Sequence, residues 1–304
     1  MPAEPVVQAH RVSKTFAGTR VLNGVSLTIA RGEMVGLIGA SGSGKSTLIR
    51  SIAGLTAIDR GQADGAPGGE IRLFAQPMQQ RGRIARAANA LRARVGVVFQ
   101  QFNLVPRLTV LTNVCLGQLG RMPLVRASLG QFSMDEKRRA MRALSRVGIA
   151  EHALKRGCDL SGGQQQRAAI ARTLMQNAEF IVADEPIASL DPKSARRVMD
   201  ILADLNKNDG ITVLVSLHQV EYALRYCPRT IALKAGEVVY DGPSQALTPE
   251  FLGAIYGAES EDLFASIDTG PAPELPAAEV IDATAAFDAS RRISPDQQRQ
   301  KARA

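Results

Sequence analysis

A chain of 304 residues, 45% of them hydrophobic, can bury one large or two modest cores. Cys115, Cys158 and Cys227 are odd in number, widely spaced and form no Cys-x-x-Cys pair, which argues against a disulfide framework or a cysteine metal site and for ordinary reduced thiols. The net charge of +8 is uneven, because residues 257–304 carry nine acids against five bases and the excess positive charge lies in the middle of the chain.

Val6 to Val12, Val21 to Ile29 and Met34 to Ile38 read as strands, the last running directly into a glycine-rich loop and a helix over Ser46 to Gly54. Ile71 to Phe74 reads as a short strand, Arg83 to Arg94 as a basic helix, and Val95 to Phe99 as a buried strand. Residues 103 to 170 read as mainly helical, with Lys137, Arg138, Arg139, Arg142 and Arg146 at helical spacing. Strand Phe180 to Ala183, helix Lys193 to Leu205, strand Ile211 to Ser216 and helix Gln219 to Tyr226 follow in alternation, which predicts a parallel sheet. Ile231 to Lys234 and Glu237 to Tyr240, either side of Ala235-Gly236, predict a closing hairpin.

Beyond Gly257, Pro271, Pro273 and Pro276 sit among alanines with few large apolar residues, so a disordered tail is expected over 257–304. No apolar run approaches the roughly 20 residues of a membrane span. Met1 to Arg11 lacks the regions of a signal peptide, so a cytoplasmic location is expected. The two arginine-rich runs could meet nucleic acid or anionic headgroups, or be solvated helix faces. Neither run is interleaved with aromatic residues, so base stacking lacks a platform and no nucleic acid is expected.

Gly39-Ala40-Ser41-Gly42-Ser43-Gly44-Lys45-Ser46-Thr47 fits G-x-x-x-x-G-K-[ST] in the context that pattern requires, after a strand and into a helix. Its glycines let successive N–H groups converge on phosphate oxygens, Lys45 suits the β and γ phosphates, and Ser46 suits Mg²⁺. Phe180 to Ala183 delivers Asp184 and Glu185 to the carboxyl edge of the sheet, where Asp184 would serve the metal through water and Glu185 would polarise the attacking water. An Asp-Glu pair is also a common helix cap. His218 follows Ile211 to Ser216 and so falls at the same edge, in reach of a γ-phosphate, while Gln100 or its neighbour Gln101 follows Val95 to Phe99 and could reach metal and water. Leu160-Ser161-Gly162-Gly163-Gln164-Gln165-Gln166-Arg167 forms a second anion cradle opening a helix to Met175. The phosphates already having a cradle at Lys45, this second one is best explained by a facing protomer, the plainer reading being a helix cap by Ser161.

In this order, over residues 6 to 256, these segments resemble the ATP-binding subunits of ABC transporters. The resemblance implies an α/β P-loop NTPase fold of RecA-like type: a parallel-sheet core over about 1–101 and 171–256, with an N-terminal antiparallel β-subdomain and a helical subdomain inserted over about 102–170. It implies a head-to-tail homodimer in which each ATP lies between one chain's phosphate loop and the other's signature segment Ser161 to Gln164. It further implies that Phe16 stacks on adenine, where tyrosine is commoner, that Gln100 is the Q-loop residue and a Mg²⁺ contact, that Asp191 belongs to the D-loop, and that His218 is the switch histidine.

Arg94 to Val105, Asp184 to Pro192 and Leu217 to Cys227 are similar, more narrowly, to the ATPases of bacterial phosphonate importers. That resemblance implies a peripheral subunit on the cytoplasmic face of the inner membrane, coupled to a permease and indirectly to a periplasmic binding protein. An importer of another small polar solute, and a soluble ABC ATPase of the phosphonate-degrading or DNA-repair kind, are the alternatives. The segment after Gly257 departs from the pattern.

Overall fold

The computed structural model describes residues 4–61, 65 and 67–256; the expected tail lies outside the described residues. Strands β1 (Pro5–Phe16), β2 (Thr19–Ala30), β3 (Met34–Ile38), β4 (Glu70–Leu73), β5 (Gln76–Gln80), β6 (Arg83–Ile84), β7 (Val95–Val98), β8 (Phe180–Asp184), β9 (Thr212–Ser216), β10 (Arg229–Lys234) and β11 (Glu237–Pro243) form two sheets. The first is antiparallel, in the order β2-β1-β4-β5-β6. Its period-two pattern is plain in β2, where Val25, Leu27 and Ile29 are buried and Ser26 and Thr28 are exposed.

The second sheet, β11-β10-β3-β9-β8-β7, is parallel from β10 to β7 and closes with an antiparallel β10–β11 hairpin. The hairpin turn uses Ala235 at φ 49° and Gly236 at φ 81°, the left-handed pair that a two-residue loop requires. Strands β3, β8 and β9 are buried along their whole length because both faces are covered. Val35, Leu37, Phe180, Val182, Leu214, Ile231 and Leu233 join the core against the antiparallel sheet. The alternate residues Met34, Ile38, Ile181, Ala183, Val213, Val215 and Ala232 join the core against the helices.

The helices are α1 (Lys45–Ile52), α2 (Ala88–Arg92), α3 (Val110–Cys115), α4 (Leu124–Ser128), α5 (Met134–Arg146), α6 (Gly162–Met175), α7 (Pro192–Asp209), α8 (Val220–Tyr226) and α9 (Pro249–Tyr256). Four of them, α3 to α6, lie between β7 and β8 in sequence. Ser133 and Glu136 cap α5 reciprocally, and α7 runs from an Asp191 cap with Pro192 in its first turn to a left-handed Gly210.

The expected basic helix over Arg83 to Arg94 is corrected: only Ala88–Arg92 is helical, and Arg83–Ile84 is a strand. Arg81 at φ 47° and Gly82 at φ 71° turn the chain back, so Gln80 pairs with Arg83 across a hairpin. Strand β5 had no legible pattern, since Met78 is its one large apolar residue. Its fully buried Gln79 is matched instead by hydrogen bonds, donating to the Ser51 and Thr56 carbonyls and accepting from Ile58 N–H.

Several arginines of the basic runs are engaged inside the chain. Arg94 pairs with Glu179 at 2.6 Å and lies 3.7 Å over the Phe74 ring, and Arg146 pairs with Asp204 at 2.6 Å. All three cysteines are free thiols, with burial pushing Cys115 up to about 11 and Cys227 up to about 12. No helix among the described residues is long and apolar enough to cross a membrane.

Candidate nucleotide site

The parallel sheet places the ends of β3, β9, β8 and β7 side by side, and the residues singled out by the motifs emerge at those ends. Gly39 to Thr47 links β3 to α1. Gly39 has φ 146°, and a Cβ there would come 2.2 Å from the Leu233 carbonyl oxygen; at Gly44, with φ 104°, it would come 2.8 Å from that of Val21. Neither position admits a side chain, which is the physical content of the glycine pattern. Lys45, 4% exposed, donates from Nζ to the carbonyls of Gly39 at 2.7 Å and Ala40 at 3.2 Å. Ser43 Oγ is buried without a hydrogen-bond partner, a polar group that suits a loop built to meet phosphate oxygens.

From the loop the network passes to β8. Ser46 Oγ donates to Asp184 Oδ1 at 2.9 Å, and Ser216 Oγ, from the end of β9, donates to the same oxygen at 3.1 Å. Ser216 Oγ also accepts from Glu185 N–H at 2.9 Å, so one hydroxyl fixes both acids. Glu185 stands at φ 50°, a left-handed conformation costing roughly 1–2 kcal/mol in a residue with a side chain. Strain of this kind persists where the surroundings over-determine it. The same turn brings Glu185 Oε1 to 2.5 Å from His218 Nε2. Ser46, Asp184, Ser216, Glu185 and His218 thus form one connected chain of hydrogen bonds, and Asp184 and Glu185 do not serve as the helix cap that such pairs often form.

Gln100 is exposed just after β7, whose Val98 pairs with Ala183, so it lies beside the Asp184–Glu185 edge. The chain beyond it is held by Arg172 of α6, which donates to the carbonyls of Asn103 at 2.6 Å and Phe102 at 3.3 Å. Those two residues are left-handed as well, at φ 50° and 44°. Burial lowers the Arg172 pKa. Phe16, at the end of β1, is 46% exposed, with Lys14 Nζ 4.9 Å from its ring centre.

Ser161 and Gln164 cap α6 reciprocally: Ser161 Oγ accepts from Gln164 N–H and Gln164 Oε1 from Ser161 N–H at 2.9 Å. Gly163 has a packing reason of its own, since a Cβ there would lie 2.7 Å from the Ser194 side chain of α7. Asp191 accepts from Lys193 N–H and Ser194 N–H, and the Ser194 hydrogen bonds hold its carboxyl below the usual range. Ser216 is the residue the motif search missed. Its one signal was a small hydroxyl residue ending an apolar strand two positions before His218.

Comparison with known proteins agrees with this geometry. Residues 22–188 match the family model described as ABC transporter. A phosphonates import ATP-binding protein of Stutzerimonas stutzeri is 58% identical over 83% of this chain and 90% of its own length. One from Caulobacter vibrioides is 54% identical over 87% of this chain and 98% of its own. Among solved structures, the dimeric structure of MJ0796, a bacterial ABC transporter cassette, superposes with TM-score 0.68 at 35% identity, covering 79% of this chain and all of that one. A post-hydrolysis form of the same cassette, bound to ADP and Pi, gives 0.66. By family model, by sequence identity and by fold, the chain belongs to the ABC transporter family, among its ATP-binding cassettes.

Proposed function

We propose that this chain is the ATP-hydrolysing subunit of an ABC importer for phosphonates or related organophosphorus anions. The observation that carries the ATPase reading is the continuous contact from Ser46 through Asp184 and Ser216 to Glu185 and His218, beside a buried Lys45. The substrate class rests on the similarity to the phosphonates import ATP-binding proteins of Stutzerimonas stutzeri and Caulobacter vibrioides.

In this reading Phe16 stacks on adenine, and Gly39, Ala40, Ser41, Gly42, Ser43, Gly44, Lys45, Ser46 and Thr47 cradle the phosphates. Mg²⁺ suits the oxygen donors present, as it is held by one or two carboxylates with other oxygens, waters and phosphates. No group of three or more His, Cys, Asp or Glu residues competes for a metal among the described residues. Ser46, Asp184 and Gln100 would hold the ion, which when bound neutralises charge on the β and γ phosphates. Glu185 takes the proton of the attacking water, and His218 orients Glu185 and meets the γ-phosphate. The helical segment over about 102–170 carries Ser161, Gly162, Gly163 and Gln164 to the ATP of a second copy, and Asp191 lies at that interface. A permease receives the cassette at the cytoplasmic face of the inner membrane, and a periplasmic binding protein delivers the substrate to the permease.

Growth of a deletion strain on a phosphonate as sole phosphorus source tests the substrate class. Loss of growth, restored by the gene, is expected. Unimpaired growth in a strain without a second uptake system refutes it in favour of another small solute.

A further inference from the structure

Helix α9 ends at the phosphate loop. Leu252, Ile255 and Tyr256 are buried in the helix-side core, and Lys234 Nζ, from the end of β10, donates to the Ala254 carbonyl at 2.7 Å. At the last residue of the helix, 6% exposed, Tyr256 Oη accepts the Gly39 N–H at 3.0 Å across a separation of 217 residues. On the other side of the same glycine, the Gly39 carbonyl accepts from Lys45 Nζ at 2.7 Å.

Glycine is the freest pivot a backbone has, because it lacks a Cβ to restrict φ and ψ. The two peptide planes meeting at Gly39 are each held from outside, one by the tyrosine hydroxyl and one by the lysine ammonium. Of the ammonium's three N–H donors, those turned to the β and γ phosphates are no longer available to the Gly39 and Ala40 carbonyls. The Tyr256 hydroxyl then keeps its hold at the start of the loop, against the Leu233 carbonyl that walls off the other side.

We propose that Tyr256 is a positioning residue for ATP binding: its hydroxyl pre-orders the first turn of the phosphate loop and ties loop order to the docking of α9. The proposal rests on reading Gly39 to Thr47 as the ATP phosphate loop. Preorganisation of this kind lowers the ordering cost that a ligand must meet, so its loss appears in affinity rather than in the chemical step.

The test is Y256F in the full chain, with ATP and ADP dissociation constants measured by titration well below the unfolding temperature, and hydrogen exchange followed at the Gly39 amide. Expected are a dissociation constant raised about five-fold for both nucleotides, which corresponds to ~1 kcal/mol for one neutral hydrogen bond, faster exchange at Gly39, and a kcat in the assembled transporter within about two-fold of wild type. A residue that only supports the fold would lower the melting temperature and leave the affinity of the folded protein unchanged. Should Y256F not fold, K234M, which releases the end of α9 without touching the loop, is expected to raise both constants in the same direction. Wild-type affinity in the folded variant, while K45A loses binding, overturns the role of Tyr256 alone. Unchanged binding in K45A overturns the phosphate-loop reading, and the proposal with it.

Discussion

Replacing Ser216 by alanine removes one oxygen atom and disturbs both acids of the site. The residue is fully buried at the end of β9, so no water takes the place of its hydroxyl. Glu185 N–H loses its acceptor at 2.9 Å, a buried unpaired donor costing about 1–3 kcal/mol. Asp184 Oδ1 loses a charge-assisted bond at 3.1 Å and keeps only the 2.9 Å bond from Ser46, a loss of about 1.5–3 kcal/mol. Taken together at the lower ends, about 2.5 kcal/mol is expected, which for a domain of this size lowers the melting temperature by roughly 5–10 °C. The effect on hydrolysis has a different origin. Glu185 sits in a left-handed conformation that its N–H bond to Ser216 helps to hold, and relaxation toward an ordinary φ swings the carboxylate out of line with His218. A displacement of about 1 Å in a reacting group costs on the order of 10²-fold in rate. Scanning calorimetry with and without nucleotide, and phosphate release from the transporter reconstituted with its permease, read the two effects separately. A Ser216→Ala protein with wild-type melting temperature and turnover would refute the claim that this hydroxyl organises the site.

Glu185→Gln keeps the length of the side chain and removes the proton acceptor, so ATP binding should persist while turnover falls at least about 10²-fold; phosphate release at the wild-type rate would remove Glu185 from the role of base. At Ser161 two substitutions share the loss of the cap and differ in the bulk they add. Ser161→Ala should cost about 1 kcal/mol of stability through the lost α6 cap, seen by denaturant titration. Ser161→Arg should abolish hydrolysis in the assembled transporter while ATP binding by the single chain changes little, and full activity there would sink the shared-site model. Glu179 gives a pH prediction. Hydrogen bonds from Arg94 hold its carboxyl below the usual range, so the stabilisation is present above the unfolded value of about 4.3 and is lost as pH falls through the lower folded value. Glu179→Gln should therefore lower the melting temperature most at neutral pH, by the equivalent of at most ~1 kcal/mol for a partly exposed pair, and the gap to wild type should close on acidification; a gap that widens toward low pH contradicts the sign.

The parallel sheet was legible because a strand covered on both faces is written as a continuous apolar run, as in Met34–Ile38, in residues 180–183 and in residues 213–215. Gly39, Gln100, Glu185 and His218 were legible for a related reason: each falls just after such a run, and the sheet carries these ends to one edge. The antiparallel sheet was read less completely. Strand β5 is stabilised by the hydrogen bonds of a buried glutamine rather than by an apolar face, and no period in Gln76–Gln80 announces that. The basic run Arg83 to Arg94 counts as helix by composition, yet two left-handed residues just before it start a hairpin, and its arginines are then used singly, on the Gly54 carbonyl, on Glu179 and over Phe74. Arg172 and Tyr256 act through partners distant in sequence, so nothing local marks them, and Ser216 carries only the weak mark of a hydroxyl residue ending an apolar strand.

In the signature segment a local role and the distant one proposed above would fall on the same atoms. As a cap, Ser161 Oγ uses an acceptor lone pair on Gln164 N–H, which leaves its hydroxyl hydrogen free to donate. The first N–H groups of α6 have no carbonyl partner within the helix. Gly162 and Gly163 add no side chain over them, and Gly163 is further required by the approach of Ser194. A capping box therefore does not compete with binding a neighbour's phosphate: it fixes the direction of the hydroxyl and the helix end from which such a contact would be made. The cap and the proposed contact are therefore compatible: Ser161→Ala and Ser161→Arg both remove the cap, and only the arginine adds bulk where a neighbour's phosphate would lie, so a difference in hydrolysis between the two variants reads the second role.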